Sequence, residues 1–137
     1  MRNADGVRNL RKIIDDEQNL FIIVSAMGKT TNALEKVFEG LQKGDKQLSL
    51  EHVESLRKYH AEIIDDLWRG PKRLPAVDAL FDELEKIAVE TDYKPADAEL
   101  WYDTIVAYGE LVSTTIISEY LNYAGVPNRW IDMRRCF

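Results

Sequence analysis

The chain has few of the residues that carry covalent or metal chemistry. A single cysteine, Cys136, in 137 residues excludes an internal disulfide and fits a reducing cytoplasm, where the protein is expected to reside. The two histidines, His52 and His60, make no metal-ligand cluster with it at a recognised spacing, and both read as ordinary helix residues. No apolar run approaches the roughly 20 residues that a membrane helix needs. The opening Met1-Arg2-Asn3-Ala4-Asp5-Gly6 lacks the hydrophobic core of a secretory signal. Basic residues are also in deficit: 18 Lys and Arg stand against 24 Asp and Glu, a net charge of -6. That balance argues against a nucleic-acid partner. One glycine is missing where it would matter most. Gly28-Lys29-Thr30 looks like the end of a Walker A loop, but the position five residues before Gly28 is Ile23, so the loop cannot fold around a triphosphate.

What is present suits one soluble domain with a core. The apolar share is 45% and the charged share 31%, both ordinary for a globular protein. Val7, Leu10, Ile13 and Ile14 recur at helical spacing, which predicts a first helix over about Asp5 to Asp15. Leu20 to Val24 is a continuous apolar run rich in β-branched and aromatic residues. It reads as a strand buried on both faces, running into the small and hydroxylic residues Ser25 to Thr31. Asn32 then caps a helix with the stripe Leu34, Val37, Phe38 and Leu41, stopped by Gly44. Leu50, Val53, Leu56, His60, Ile63, Ile64 and Leu67 line a further helix, for which Ser49 is the predicted cap. Gly70-Pro71 breaks it. Val77, Leu80, Phe81, Leu84, Ile87 and Ala88 line another, with Pro75 in its first turn. A long helical stretch covers about Ala96 to Tyr123, with a kink or break expected at Gly109. Arg129 to Met133 reads as a second strand.

The expected fold class is therefore α/β: a helix-rich arrangement with two strands, at about 20–25 and 128–133, and about five helices. Two strands are few for a parallel sheet, so the chain reads as part of a larger domain. Open sheet edges and uncovered apolar faces predict self-association.

Two segments carry a family resemblance. One is Val24-Ser25-Ala26-Met27-Gly28-Lys29-Thr30-Thr31-Asn32. The other is Tyr108-Gly109-Glu110-Leu111-Val112-Ser113-Thr114, followed by Tyr120 to Val126 and by Trp130-Ile131-Asp132-Met133-Arg134. Together they resemble aspartate kinase, of the amino-acid kinase superfamily, whose second strand ends in S-A-x-x-x-x-T-N and whose later helix carries G-E-x-x-S. The order and approximate spacing match from Leu20 to Arg134. The resemblance implies a three-layer α/β/α fold, with residues 1–137 forming part of the kinase domain and a helical insertion at about 47–100. The family's K-F-G-G-T-S strand and turn would lie before this chain and its ATP-binding half after it. The chain is accordingly expected to be an N-terminal segment of the catalytic domain, inactive by itself.

The activity so implied is ATP-dependent phosphorylation of the L-aspartate β-carboxylate, the first step toward lysine, threonine and methionine. ATP and Mg2+ would serve the parent enzyme, with neither expected to bind firmly to this segment. By resemblance Thr31 falls on the threonine that contacts substrate and Glu110 on the glutamate that holds the substrate's α-ammonium. Ser25, at the strand end, would face phosphate or substrate. No catalytic residue and no metal ligand is assigned. A hydroxyl at a helix N-terminus can donate to a carboxylate, and a carboxylate accepting from an ammonium makes a charge-assisted bond. On residue type alone, Thr31 flanks a helix cap, Glu110 is a solvated charge and Ser25 bonds to backbone. Lys29 reads as a solvated loop lysine. Tyr59, His60, Trp68 and Trp101 read as packing within the insertion. The alternative in a different class is a helical interaction or assembly module derived from an amino-acid kinase.

Overall fold

The computed structural model describes residues 4–8, 28 and 30–125. Residues 4–8 are helical (α1). Four longer helices follow: α2 Thr30–Lys43, α3 Lys46–Trp68, α4 Pro75–Glu90 and α5 Ala98–Tyr123, the last preceded by a 3-10 turn at Pro95–Asp97. Among the described residues there is no strand. The α/β class is therefore corrected to a helical assembly. Its physical basis is that each stripe read from the sequence finds another helix to cover it, so the described core closes helix on helix without a sheet. The segments expected as strands, 20–25 and 128–133, lie outside the described residues, as does most of the predicted first helix.

The turns explain how the helices reverse. Gly44, with φ at 69°, ends α2 in a Schellman arrangement: the Asp45 N–H reaches the Gly40 carbonyl at 2.8 Å and the Gly44 N–H the Leu41 carbonyl at 3.3 Å. The Asp45 carboxylate then accepts from the Leu48 N–H at 3.1 Å and caps α3. Ser49, the predicted cap, sits instead inside α3, fully buried. Its hydroxyl donates across to the Val37 carbonyl at 2.8 Å. The α2–α3 hairpin closes there because Gly40 has no side chain. A Cβ at that position would meet Ser49 Oγ and lie 2.8 Å from both the Asp45 carbonyl oxygen and the Ser49 nitrogen.

The second Schellman arrangement ends α3 on Arg69, which adopts φ 56°. The Gly70 N–H reaches the Asp65 carbonyl at 2.9 Å and the Arg69 N–H the Asp66 carbonyl at 3.2 Å. The same helix end receives Arg8 of α1, which donates to the Asp66 carbonyl at 2.6 Å and to its carboxylate at 3.1 Å. A cation suits that end of the helix macrodipole. Pro75 opens α4 as expected. α2 begins at Thr30, two residues before the predicted cap Asn32.

α5 has the most buried residues of the described helices. Its buried positions run nearly all round, from Ile105 and Tyr108 to Val112, Ser113, Ile116, Ile117 and Leu121. It passes through buried Gly109 as one helix, so the break expected there does not occur. α3 and α4 are tied by Arg57, which lies 3.0 Å from both Asp82 and Glu85 and sits over the Phe81 ring. Leu34, Val37, Val53, Leu84, Ile105 and Ile116 are almost wholly buried, each contributing about 1.5–3 kcal/mol on leaving water. Tyr59, Trp68 and Trp101 pack against this core as read from the sequence.

Candidate functional site

The candidate site depends on how α2 and α5 run past each other. Glu35 accepts from the Tyr102 hydroxyl at 3.3 Å. Phe38 meets Tyr102 edge-on at 5.4 Å between centroids and Tyr93 at 6.1 Å. One turn further along α2, Gln42 donates to the Tyr93 hydroxyl at 3.1 Å. Moving up α2 thus means moving down toward the start of α5, and the two helices are antiparallel.

That register sets the height of the two residues singled out by sequence. Thr31 lies seven residues before Phe38, about 10 Å along α2, and Glu110 lies eight residues after Tyr102, about 12 Å along α5. In an antiparallel pair these displacements point the same way, so the two positions stand within about one turn in height. Seven residues is close to two turns, which puts Thr31 on the same side of α2 as Phe38, whereas Glu110 stands about 80° round α5 from Tyr102. Both Thr31 and Glu110 are exposed. Ser25, the third predicted site residue, lies outside the described residues.

Thr31 occupies the first turn of α2, and that turn carries no acidic side chain. The positive end of the helix macrodipole therefore has no carboxylate of its own turn to satisfy it. The neighbouring Thr30 is buried. Of the paired threonines, it is Thr31 that is left facing water. On α5, the hydroxyls that follow Glu110 turn back to the backbone. Thr114 Oγ1 donates to the Glu110 carbonyl at 2.8 Å and Ser113 Oγ to the same oxygen at 3.3 Å. These bonds leave the Glu110 carboxylate itself on the exposed surface. A solvated carboxylate at the level of a helix N-terminus can hold an ammonium while the N-terminus attracts an anion, which is the charge pattern of a zwitterionic amino acid.

Sequence reasoning missed the aromatic and polar clasp of Tyr93, Tyr102, Phe38, Glu35 and Gln42 that sets this register. Its members lie 51 to 67 residues apart where they hydrogen-bond, and no local pattern announces such a pairing. Among the described residues, no group of three or more His, Cys, Asp or Glu is placed to hold a metal ion. No described helix is long and apolar enough to cross a membrane.

No family model matches the chain. Curated relatives do. The bifunctional aspartokinase/homoserine dehydrogenase 2 of Escherichia coli (strain K12) is 31% identical over 113 residues, covering 82% of this chain and 14% of that protein. The lysine-sensitive aspartokinase 3 of the same organism is 28% identical over 124 residues, 90% of this chain and 26% of that protein. The chloroplastic aspartokinase 1 of Arabidopsis thaliana is 29% identical over 124 residues, 85% of this chain and 20% of that protein. The chain thus spans between a seventh and about a quarter of the length of these relatives. It is an aspartokinase-related segment.

Proposed function

We propose that this aspartokinase-related segment forms the aspartate-side wall of an aspartate kinase catalytic domain. The observation that carries the reading is the antiparallel α2–α5 register, which favours Thr31 and Glu110 serving one ligand. The Glu110 carboxylate accepts from the α-ammonium of L-aspartate, and the Thr31 hydroxyl donates to a substrate carboxylate at the positive end of α2. Ser25 is assigned to the same wall, on the family resemblance alone. Phosphoryl transfer demands that the β-carboxylate be held in line with the γ-phosphate. In this reading these residues supply that orientation for one reactant. ATP and Mg2+ are held by other parts of the parent enzyme, and the isolated chain forms no aspartyl phosphate.

The test has two arms. Trapping aspartyl phosphate as a hydroxamate, with ATP and Mg2+ supplied, gives no product from the 137-residue chain; turnover would overturn the assignment of a substrate wall alone. Equilibrium binding of L-aspartate weakens about tenfold in Glu110→Gln, the value for losing one charge-assisted bond at an exposed site. Unchanged affinity would remove Glu110 from the site.

A second reading, a helical interaction module of the same ancestry, is favoured by one observation: Leu100 and Tyr123 are both 62% exposed on α5. It predicts self-association through α5. Sedimentation as a monomer at high micromolar concentration would count against it.

A further inference from the structure

His60 is buried to 1% exposure in the middle of α3. Its Nδ1 lies 2.8 Å from the Leu56 carbonyl. A carbonyl only accepts, so Nδ1 carries the proton, and in the neutral ring Nε2 is left with a bare lone pair. That Nε2 is buried and has no hydrogen-bond partner among the described residues. The ring is walled by Tyr59, 5.2 Å away and edge-on, and by Phe81 of α4 at 5.6 Å. Several charged groups on α3 and on the helices packed against it are already paired. On α3, Arg57 lies over the same Phe81 ring and is paired with Asp82 and Glu85 of α4. Glu83 of α4 accepts from Tyr108 of α5. On α2, Glu39 is held by Lys36 and Lys43. Among the described residues, no carboxylate is hydrogen-bonded to the imidazole, and the nearby Arg57 is itself a cation.

We infer that His60 is an acid-sensitive latch: it holds α3 against α4 only while its ring is neutral, and protonation releases that packing. A second proton would have to go on Nε2, which meets no acceptor among the described residues, and would place a cation against the Tyr59 and Phe81 rings. Burial, opposed by the Leu56 bond, accordingly pushes the ring below the usual histidine range. In the unfolded chain the ring takes up its proton near pH 6.5. A group whose folded value is depressed costs nothing when both states are neutral, so stability is full above that pH. It falls as the pH drops, because the unfolded state binds the proton first. The unfolding equilibrium constant therefore rises by up to tenfold per pH unit below about 6.5. Most carboxylates titrate lower, near 4, which leaves pH 5 to 7 largely clear of carboxylate titration.

The test follows the 137-residue chain by urea unfolding between pH 7.5 and 5.0, with α3 and α4 monitored by amide hydrogen exchange. The native chain loses stability through this range, with exchange rising first in α3 and α4. His60→Phe, which keeps a ring of similar size, flattens the loss, while His52→Asn leaves it in place. An equal pH slope in the native chain and His60→Phe would overturn the inference. If His60→Phe does not fold, the imidazole carbon shifts of the native chain decide, with His52→Asn fixing the assignment. A His60 ring that stays neutral until the protein unfolds supports the latch, and one that titrates within the folded protein at the ordinary histidine value overturns it.

Discussion

Replacing Gly40 with alanine sets two effects of opposite sign against each other. Helix propensity alone favours the change: α2 spans Thr30–Lys43, and alanine in a helix interior is worth about 1 kcal/mol over glycine. The α2–α3 crossing opposes it. The new Cβ would stand 2.8 Å from two backbone atoms, the Asp45 oxygen and the Ser49 nitrogen, where ordinary contacts lie at 3.4–4 Å. Backbone cannot swing aside as a flexible side chain does, so the helices must separate, at about 1–3 kcal/mol for overpacking. Separation also stretches the 2.8 Å bond from Ser49 to the Val37 carbonyl, worth about 1 kcal/mol. The lost bond roughly cancels the propensity gain. Gly40→Ala is therefore destabilising by about 1–3 kcal/mol, or about 4–12 °C in Tm at this chain length. Thermal unfolding by circular dichroism reads it directly. Adding Ser49→Ala removes only the hydroxyl, so the double variant remains less stable than Ser49→Ala alone. A Gly40→Ala protein as stable as its parent, or more stable, would refute the close crossing.

Other expectations follow from single contacts. Arg69 holds φ 56° at the end of α3, where a side chain is strained, so Arg69→Gly raises stability by about 0.5–1 kcal/mol; a loss in urea unfolding would mean that its side chain matters more than its backbone. Asp45→Ala removes the side-chain acceptor for the Leu48 N–H and costs about 1 kcal/mol, whereas Asp45→Asn retains most of it. Tyr102→Phe deletes the hydroxyl that reaches Glu35 while keeping the ring contact with Phe38. At that exposed site it costs no more than about 1 kcal/mol, and a larger loss in urea unfolding would show the clasp to be stronger than its geometry implies.

Helix periods were the most legible part of this chain. The stripes Leu34 to Leu41, Val53 to Leu67 and Val77 to Ala88 all face the core, because a 3.6-residue repeat leaves an apolar face little choice. Gly44 as a stop was legible for a similar reason, since its backbone conformation favours glycine. Capping was less so. Asp45 and Ser49 are both good cap residues, and only the fold shows Asp45 at the helix start and Ser49 buried against Val37. Gly40 gave no signal, because a glycine inside a helix reads as a weakness until a second helix is seen crossing it. The α/β class rested on two short apolar runs. The described residues answered with helices packed on one another, as the buried circumference of α5 requires. The candidate site was legible only through motifs. Thr31 and Glu110 are 79 positions apart in sequence, and local spacing cannot report a register set by Tyr93 and Tyr102. His60 has the spacing of any core-facing residue, and only three dimensions show that its Nε2 meets no partner among the described residues.

Thr31 and Glu110 are proposed to line one site for L-aspartate. Titrating the labelled 137-residue chain with L-aspartate, and in parallel with succinate, tests it through backbone amide shifts. Succinate keeps both carboxylates and lacks the ammonium. L-aspartate is expected to move the amides around residues 30–34 and 108–112 together, with one saturation curve. Succinate should move the first group at higher concentration and leave the second still. Shifts confined to one helix, or equal responses to both ligands at Glu110, would contradict it.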